Sequence, residues 1–263
     1  MKPAIGQFIP GNSILHRADP RTKILMTVVY MVAVMFIGTF AGYAVAAAFL
    51  VVAVAASGVP VKYVLRSIRP LLFIILFTII LNMFFYQGET LLFGWGIIHI
   101  YKEGILFAVK MALRILILVA GASLLTFTTS SIALTDGLER LLSPLEVIRF
   151  PAHDIAMMMS IALRFIPTFT EETDRIMKAQ SSRGAEFDTG SFINKIKSFI
   201  PVIIPLIISA FRRAEDLAVA MESRCYRGGK GRTRFRVLKF SRNDIVITAA
   251  VVGLTVVIIA GGL

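Results

Sequence analysis

Long apolar segments alternate with short basic clusters along the first half of the chain. No charged residue occurs in the 34 positions from Ile24 to Ser57. A single helix of that length would measure about 51 Å, whereas the hydrocarbon core of a bilayer is about 30 Å thick. Gly38 and Gly42 are the candidate positions for a bend. Basic residues flank both ends of the segment and favour one side of a membrane, so the pattern predicts a hairpin of two spans.

The same reasoning predicts three further spans. Residues 70–86 would lead outward, about 105–127 would return inward, and 87–104 would form an outer loop between them. The basic amino-terminal segment implies a cytoplasmic amino terminus. The predicted fold is all-α: a polytopic membrane protein with about five transmembrane helices plus cytoplasmic coupling helices. Its regions would be an amino-terminal four-span membrane region (1–127), a cytoplasmic coupling-helix region (128–244) and a final span (245–263).

Two basic residues, Lys110 and Arg114, interrupt the fourth predicted span. They are four positions apart and share one helix face, where a charge must point at protein, water or an interface. Lys110 lies near the start of the span and can extend toward the outer headgroups. Arg114 is deeper, and both a structural role and a polar contact with another subunit remain open for it.

Charged residues concentrate in 128–244, which holds 18 of the 28 basic and 13 of the 16 acidic residues. No apolar run there exceeds about a dozen residues, which predicts helices outside the membrane. Prolines punctuate the region and indicate helix starts, kinks or stops. Two long helices are predicted, at 168–183 and at about 206–224. The second carries a small-residue row, formed by Ala210, Ala214 and Ala218, that would allow a close crossing with the first helix or form an ordinary buried face.

Both predicted helices end in the pattern AxxSR. An arginine in the last turn is favoured by the helix dipole in any protein, so one copy would mean little. Two copies in the same context favour a docking surface, because alanine leaves one side of the helix end open and the guanidinium can donate forked hydrogen bonds to a partner. A solvated helix cap is the alternative. The docking residues would be Ala179, Ser182, Arg183 and Gly184 in the first copy, and Ala220, Ser223 and Arg224 in the second.

Composition supports the membrane class, with 57% apolar and 17% charged residues. The net charge of +12 would suggest nucleic acid in a soluble protein, but here basic residues flank apolar spans and meet anionic lipid. The single cysteine, Cys225, excludes an internal disulfide, and three scattered histidines do not form a metal-ligand cluster. No phosphate-binding loop is present, since RGGKGRT at 227–233 has glycine where Ser or Thr should follow the lysine. No catalytic group or cofactor is predicted.

Four motifs together resemble the transmembrane T component of energy-coupling factor transporters, the family that also includes the membrane subunit of cobalt and nickel uptake systems. The amino-terminal motif is GNSILHRADPRTKI at 11–24, which contains His16, Asp19, Pro20 and Arg21. The others are ALRFIP (162–167) followed by two glutamates, AQSSRGAEF (179–187) and AMESRCYRGG (220–229). The resemblance covers nearly the whole chain.

The resemblance implies a non-catalytic subunit in the plasma membrane of a prokaryote. Its partners would be two ABC ATPase subunits, as a homodimer or heterodimer, and a substrate-binding S component that carries a vitamin or metal ion. Arg183 with Gly184 would dock on one ATPase and Arg224 on the other. Cys225 departs from the family pattern, in which glycine follows the arginine, and this puts the geometry of the second helix end in question.

Two other classes of function compete with this reading. A stand-alone membrane channel or secondary transporter should show ionisable residues in several spans, or paired repeats, and only Lys110 and Arg114 qualify. A membrane-embedded enzyme would need a nucleophile with a base, or a metal cluster, and the sequence offers neither.

Overall fold

The computed structural model describes residues 8–86, 88–95, 98–148, 150–185, 187, 192–228 and 238–262. They form two compact units, a bundle unit (8–141 with 238–262) and a two-helix unit (142–228). The bundle unit contains helices α1 (Ile14–Arg17), α2 (Pro20–Met35), α3 (Phe40–Ser57), α4 (Val61–Ile68), α5 (Leu72–Phe85), α6 (Lys102–Thr128), α7 (Ser131–Leu142) and α10 (Arg242–Ala260). The two-helix unit contains α8 (Ala152–Ser182) and α9 (Phe192–Ser223), preceded by a 3₁₀ segment, Ser143–Ile148.

The apolar segment that begins at Ile24 is broken into two helices, as its length requires. α2 ends at Met35, and Thr39 caps α3 by accepting a hydrogen bond from the backbone N–H of Gly42. The break therefore falls at 36–39, which includes Gly38, whereas Gly42 lies inside α3. The main core of the bundle unit packs α2, α3, α6 and α10 around buried side chains that include Tyr30, Val34, Tyr43, Ile117 and Leu254.

Five segments are long and apolar enough to cross a membrane, which confirms an all-α polytopic fold. One of these five segments differs from the predicted set of spans. α2 has 16 residues and is shorter than these segments, whereas Ile193–Ser223 qualifies. The prediction that helices in 128–244 lie outside the membrane did not foresee this segment, in which the 14 residues 198–211 between Lys197 and Arg212 carry no charge. The five segments are α3, Val61–Phe85, α6, Ile193–Ser223 and α10.

A β-hairpin occupies much of the predicted outer loop. Strand β1 (Leu91–Trp95) pairs antiparallel with β2 (Ile98–Tyr101), with a register shift between Leu91 and Phe93. Glu103, in the first turn of α6, accepts hydrogen bonds from the hydroxyl and backbone N–H of Thr90. The sequence prediction gave this segment no strands.

Both long helices of the two-helix unit begin earlier than predicted. α8 continues through Pro167, and α9 continues through Pro201 and Pro205. A proline inside a helix removes one backbone hydrogen bond and bends the axis, but packing on either side can offset that loss. On α8 the apolar side chains of Ile161, Phe165 and Phe169 share one face across Pro167 and line the groove beside α9, so one packed stripe spans the proline.

Candidate functional site: two helix ends in the two-helix unit

The first candidate docking residue, Arg183, is the C-cap of α8. Gly184 follows with a φ of +89°, the left-handed conformation in which glycine carries no steric cost. Its N–H donates to the carbonyl of Ser181 at 3.0 Å, and the N–H of Ala185 donates to the carbonyl of Gln180 at 3.0 Å. This pair of hydrogen bonds is the Schellman motif, and it leaves the exposed Arg183 at the tip of the helix.

The end of α9 has the same backbone geometry although the glycine is absent. Cys225 N–H donates to the carbonyl of Glu222 at 2.8 Å, and Tyr226 N–H donates to the carbonyl of Met221 at 3.0 Å. Cys225 has a φ of +56° and is the one non-glycine residue with positive φ in the described ranges. The question raised by this departure is thereby answered: Arg224 occupies the same position in a Schellman motif as Arg183 does.

The other members of the two AxxSR copies are also placed alike. Ser182 donates its hydroxyl to the carbonyl of Lys178 at 3.0 Å, and Ser223 donates to the carbonyl of Ala220 at 3.1 Å. Each serine thus satisfies a carbonyl of the last turn. Ala179 and Ala220 are exposed, as are both arginines, so each helix end presents a cation beside a small side chain.

An ion pair joins the two helices at equal distances from their ends. Arg213 on α9 donates to the Glu172 carboxylate on α8 at 3.0 Å, and Arg213 also lies 5.9 Å from the ring centre of Phe169. Hydrogen bonding from Ser209, followed by Arg213, lowers the pKa of Glu172. Glu172 precedes Arg183 by eleven residues, and Arg213 precedes Arg224 by eleven residues, so each arginine ends an arm about 16 Å long.

The predicted small-residue row faces α8. Ala210, Ala214 and Ala218 line a groove of about 270 Å³ opposite Phe165 and Phe169. Ala210 is half-buried, whereas Ala214 and Ala218 are exposed. The small side chains therefore meet aromatic rings across an open groove.

The amino-terminal motif forms a cluster in the bundle unit. His16 accepts from the Ser13 hydroxyl at Nδ1 (2.7 Å) and donates from Nε2 to the carbonyl of Ile9 (2.9 Å). Pro20 is the first residue of α2, a position where its missing N–H costs nothing. A Cβ at Gly137 would lie 2.9 Å from the Pro20 Cβ, so Gly137 on α7 allows this close approach.

Asp19 and Arg21 form the polar part of this cluster. Arg21 donates two side-chain hydrogen bonds to the Asp19 carboxylate, at 2.9 and 3.1 Å, and its backbone N–H adds a third at 2.9 Å. Burial alone would raise the pKa of Asp19, but the hydrogen bonds and charge of Arg21 hold it below its usual value. The Arg21 guanidinium also lies 4.4 Å from the ring centre of Phe240.

Two structural residues of this cluster were missed by sequence reasoning. The buried ammonium of Lys23 donates to the Thr128 carbonyl at 3.0 Å and the Thr129 hydroxyl at 3.1 Å, which ties α2 to the end of α6. The buried Asp244 accepts from the backbone N–H of Asp19 at 2.7 Å and completes a capping box with Ser241. Each joins segments more than a hundred positions apart, for which the sequence pattern gave no signal.

Lys110 and Arg114 both bind the connection between α2 and α3. Arg114 donates to the carbonyl of Ile37 at 2.8 Å and to the Tyr43 hydroxyl at 3.1 Å, while Lys110 donates to the carbonyl of Gly38 at 2.6 Å. Carbonyls after the end of a helix lack intrahelical donors and accept basic side chains readily. Of the two roles left open for Arg114, these contacts supply the structural one.

Of the basic residues that follow Arg224, Arg227 is exposed. Most of the run predicted to meet anionic lipid, together with most of RGGKGRT, lies at 229–237, outside the described residues.

The bundle of apolar helices defines a polytopic all-α membrane protein. Residues 11–235 match the family model named CbiQ and described as cobalt transport protein. A relative from Ruminiclostridium cellulolyticum, the energy-coupling factor transporter transmembrane protein EcfT, is 55% identical over 96% of this chain and 93% of its own length. Relatives of the same name from Thermosediminibacter oceani and Brevibacillus brevis are 52% and 49% identical, over 92% and 98% of this chain and 91% and 97% of theirs. The chain therefore belongs to the EcfT/CbiQ family of transporter transmembrane components, which confirms the resemblance carried by the four motifs.

Proposed function

We propose that the chain is the coupling subunit of an energy-coupling factor importer, which links ATP hydrolysis by two separate ABC ATPase subunits to uptake of a substrate bound by an S component. The substrate would be a vitamin or a metal ion. Arg183 would dock on one ATPase and Arg224 on the other. The family membership supports the transporter class, and the two helix ends support the arrangement of partners.

The observation that carries the proposal is the equivalence of the two ends. Each arginine is the C-cap of a long helix, each is followed by the same pair of Schellman hydrogen bonds, and each lies eleven residues beyond the Glu172–Arg213 ion pair. Two equal arms with equal tips suit a partner that offers two equivalent clefts, as a dimer does. A single solvated cap would not require such matching.

Coupling would pass through α8 and α9 as rigid elements. When the ATPase dimer closes and opens, the arms would follow their clefts and change the surface presented to the S component. The alanine row on α9 and the aromatic rings on α8 would then set how the two helices move against each other, because small side chains allow sliding contacts.

Charge reversal at both tips tests the docking. The double variant Arg183→Glu/Arg224→Glu should co-purify with at least about 30-fold less ATPase from detergent-solubilised membranes, since loss of a buried charged contact costs about 2–5 kcal/mol. The matched control is Arg175→Glu/Arg212→Glu, which reverses two exposed arginines on the same helices away from the tips. The control should retain the ATPases. Wild-type recovery of ATPases with the tip variant, at a normal membrane level and a monodisperse profile, would refute the docking.

The orientation has its own test because the chain carries a single, exposed cysteine. With the ends of α8 and α9 on the cytoplasmic side, a membrane-impermeant maleimide should label Cys225 in inverted vesicles and leave it unlabelled in intact cells. A Cys225→Ser/Leu92→Cys variant moves the thiol to β1, at an exposed position, and should reverse the pattern. Labelling of Cys225 in intact cells would show that the proposed sidedness is wrong.

A further inference from the structure

The bundle unit contains an apolar cavity of about 250 Å³ that the proposed coupling does not use. Its walls come from α2, α3, α6 and α10. Residues that define it include Tyr30, Phe49, Ala56, Leu124 and Val251.

The cavity extends along two helices. It follows α2 from Lys23 to Tyr30 and α3 from Phe49 to Ala56, which is seven residues on each helix, or about 10 Å. An extended hydrocarbon chain can follow this path between the helices.

The rim of the cavity is apolar and open. Ile14 is 46% exposed, Val52 66% and Val246 56%, and all three line it. Val52 and Val246 belong to candidate membrane-spanning helices, so the opening faces the lipid between α3 and α10. α1 packs against both of these helices and closes one end.

The lining offers little to a polar ligand. The Lys23 ammonium is held by Thr128 and Thr129, and the Tyr30 hydroxyl donates to the carbonyl of Ile117 at 3.0 Å. The Thr128 hydroxyl donates to the carbonyl of Leu124 at 2.7 Å. Because these polar groups are already satisfied, the space that remains favours a hydrocarbon occupant.

Two exposed arginines lie above the rim. Arg17 follows the rim residue Ile14 by three positions, and Arg242 precedes the rim residue Val246 by four, so each shares a helix face with the opening. Each is two residues from the hydrogen bond that joins Asp19 to Asp244. In the part of the chain that the structure describes, neither arginine side chain has a hydrogen-bond or ion-pair partner.

We propose that this cavity is a binding site for an anionic phospholipid. One acyl chain occupies the space between α2, α3, α6 and α10, and the headgroup phosphate lies between Arg17 and Arg242, where guanidinium groups donate paired hydrogen bonds. The lipid then acts as part of the bundle, because it fills space that the side chains leave open. This site is independent of the docking arginines in the two-helix unit.

Photo-crosslinking in lipid nanodiscs tests the proposal. The probes are phosphatidylglycerol and phosphatidylcholine with a diazirine in the acyl chain, and the readout is the labelled peptides found by mass spectrometry. Phosphatidylglycerol should label the peptides of Tyr30 and Phe49 more than phosphatidylcholine does. Phe73 on α5, which is 76% exposed, reports contact with bulk lipid and should be labelled equally by both probes.

Two sets of variants separate the cavity from the headgroup site. Ala56→Leu fills the cavity and should reduce labelling at Tyr30, whereas Ala55→Leu, a neighbouring exposed position that does not line it, should not. Arg17→Gln/Arg242→Gln should remove the preference for phosphatidylglycerol, whereas Lys62→Gln/Arg69→Gln, with the same loss of charge, should keep it. If Ala56→Leu fails to fold, the arginine variants still decide. Equal labelling by both lipids in the wild type, or a preference that survives Arg17→Gln/Arg242→Gln, would overturn the proposal.

Discussion

The ends of α8 and α9 share one backbone geometry but differ in the residue that adopts the left-handed conformation. Gly184 holds a φ of +89° and Cys225 a φ of +56°. Both are followed by the same closing hydrogen bond, from the second residue after the arginine back to a carbonyl five positions earlier. The position of the arginine is thus kept although the residue that makes the turn easiest is not.

The helix end needs a residue in the left-handed conformation, and glycine only lowers the cost of adopting it. A side chain in the left-handed region costs about 1–2 kcal/mol, and α9 accepts that cost at Cys225. Glycine and cysteine therefore support the same helix-end geometry, and the choice between them changes only the stability of the helix end.

A valine at each end should have unequal effects. A Cβ at Gly184 would meet no atom within 4 Å, so Gly184→Val tests backbone strain alone, and a β-branched residue there should cost about 2 kcal/mol. Amide exchange at the end of α8 should accelerate about 30-fold by mass spectrometry, and ATPase recovery should fall. Cys225 already carries a Cβ, so Cys225→Val should have a smaller effect on α9.

Gly184→Ala is the intermediate control, because it adds the Cβ without branching. Its exchange should fall between those of wild type and Gly184→Val. Equal acceleration at both helix ends on valine substitution would contradict the distinction drawn between them.

The sequence predicted the class of fold and the two arginine-bearing helix ends because those signals are local. The length of the apolar segment gave the break between α2 and α3, and the repeated AxxSR marked both helix ends. The proline positions gave starts for α8 and α9 that were too late. A proline indicates that one backbone N–H is missing, but it does not show whether packing offsets that loss. Charge counted over 128–244 hid the apolar stretch of α9 for a similar reason: an average does not show where charges lie.

Contacts between distant positions could not be read from one sequence. Lys23 with Thr128, and Asp19 with Asp244, join elements at separations of 105 and 225 residues, and neither residue type at those positions indicates its partner. Arg114 was left open for the same reason. The equal arms became visible only through the ion pair of Glu172 with Arg213, whose separation of 41 residues equals that of the two docking arginines.

Cys225→Gly should make the two ends alike. Removing the Cβ relieves the left-handed strain of about 1–2 kcal/mol, and the greater backbone freedom of glycine in the unfolded chain offsets about half of it. We therefore expect amide exchange at Cys225 and Tyr226 to slow about threefold, with ATPase recovery unchanged because Arg224 keeps its place. Cys225→Ser is the control, since it removes the thiol but keeps the Cβ and should leave exchange as in the wild type. If serine slowed exchange as much as glycine did, the thiol and not the backbone would be the source of strain at this helix end.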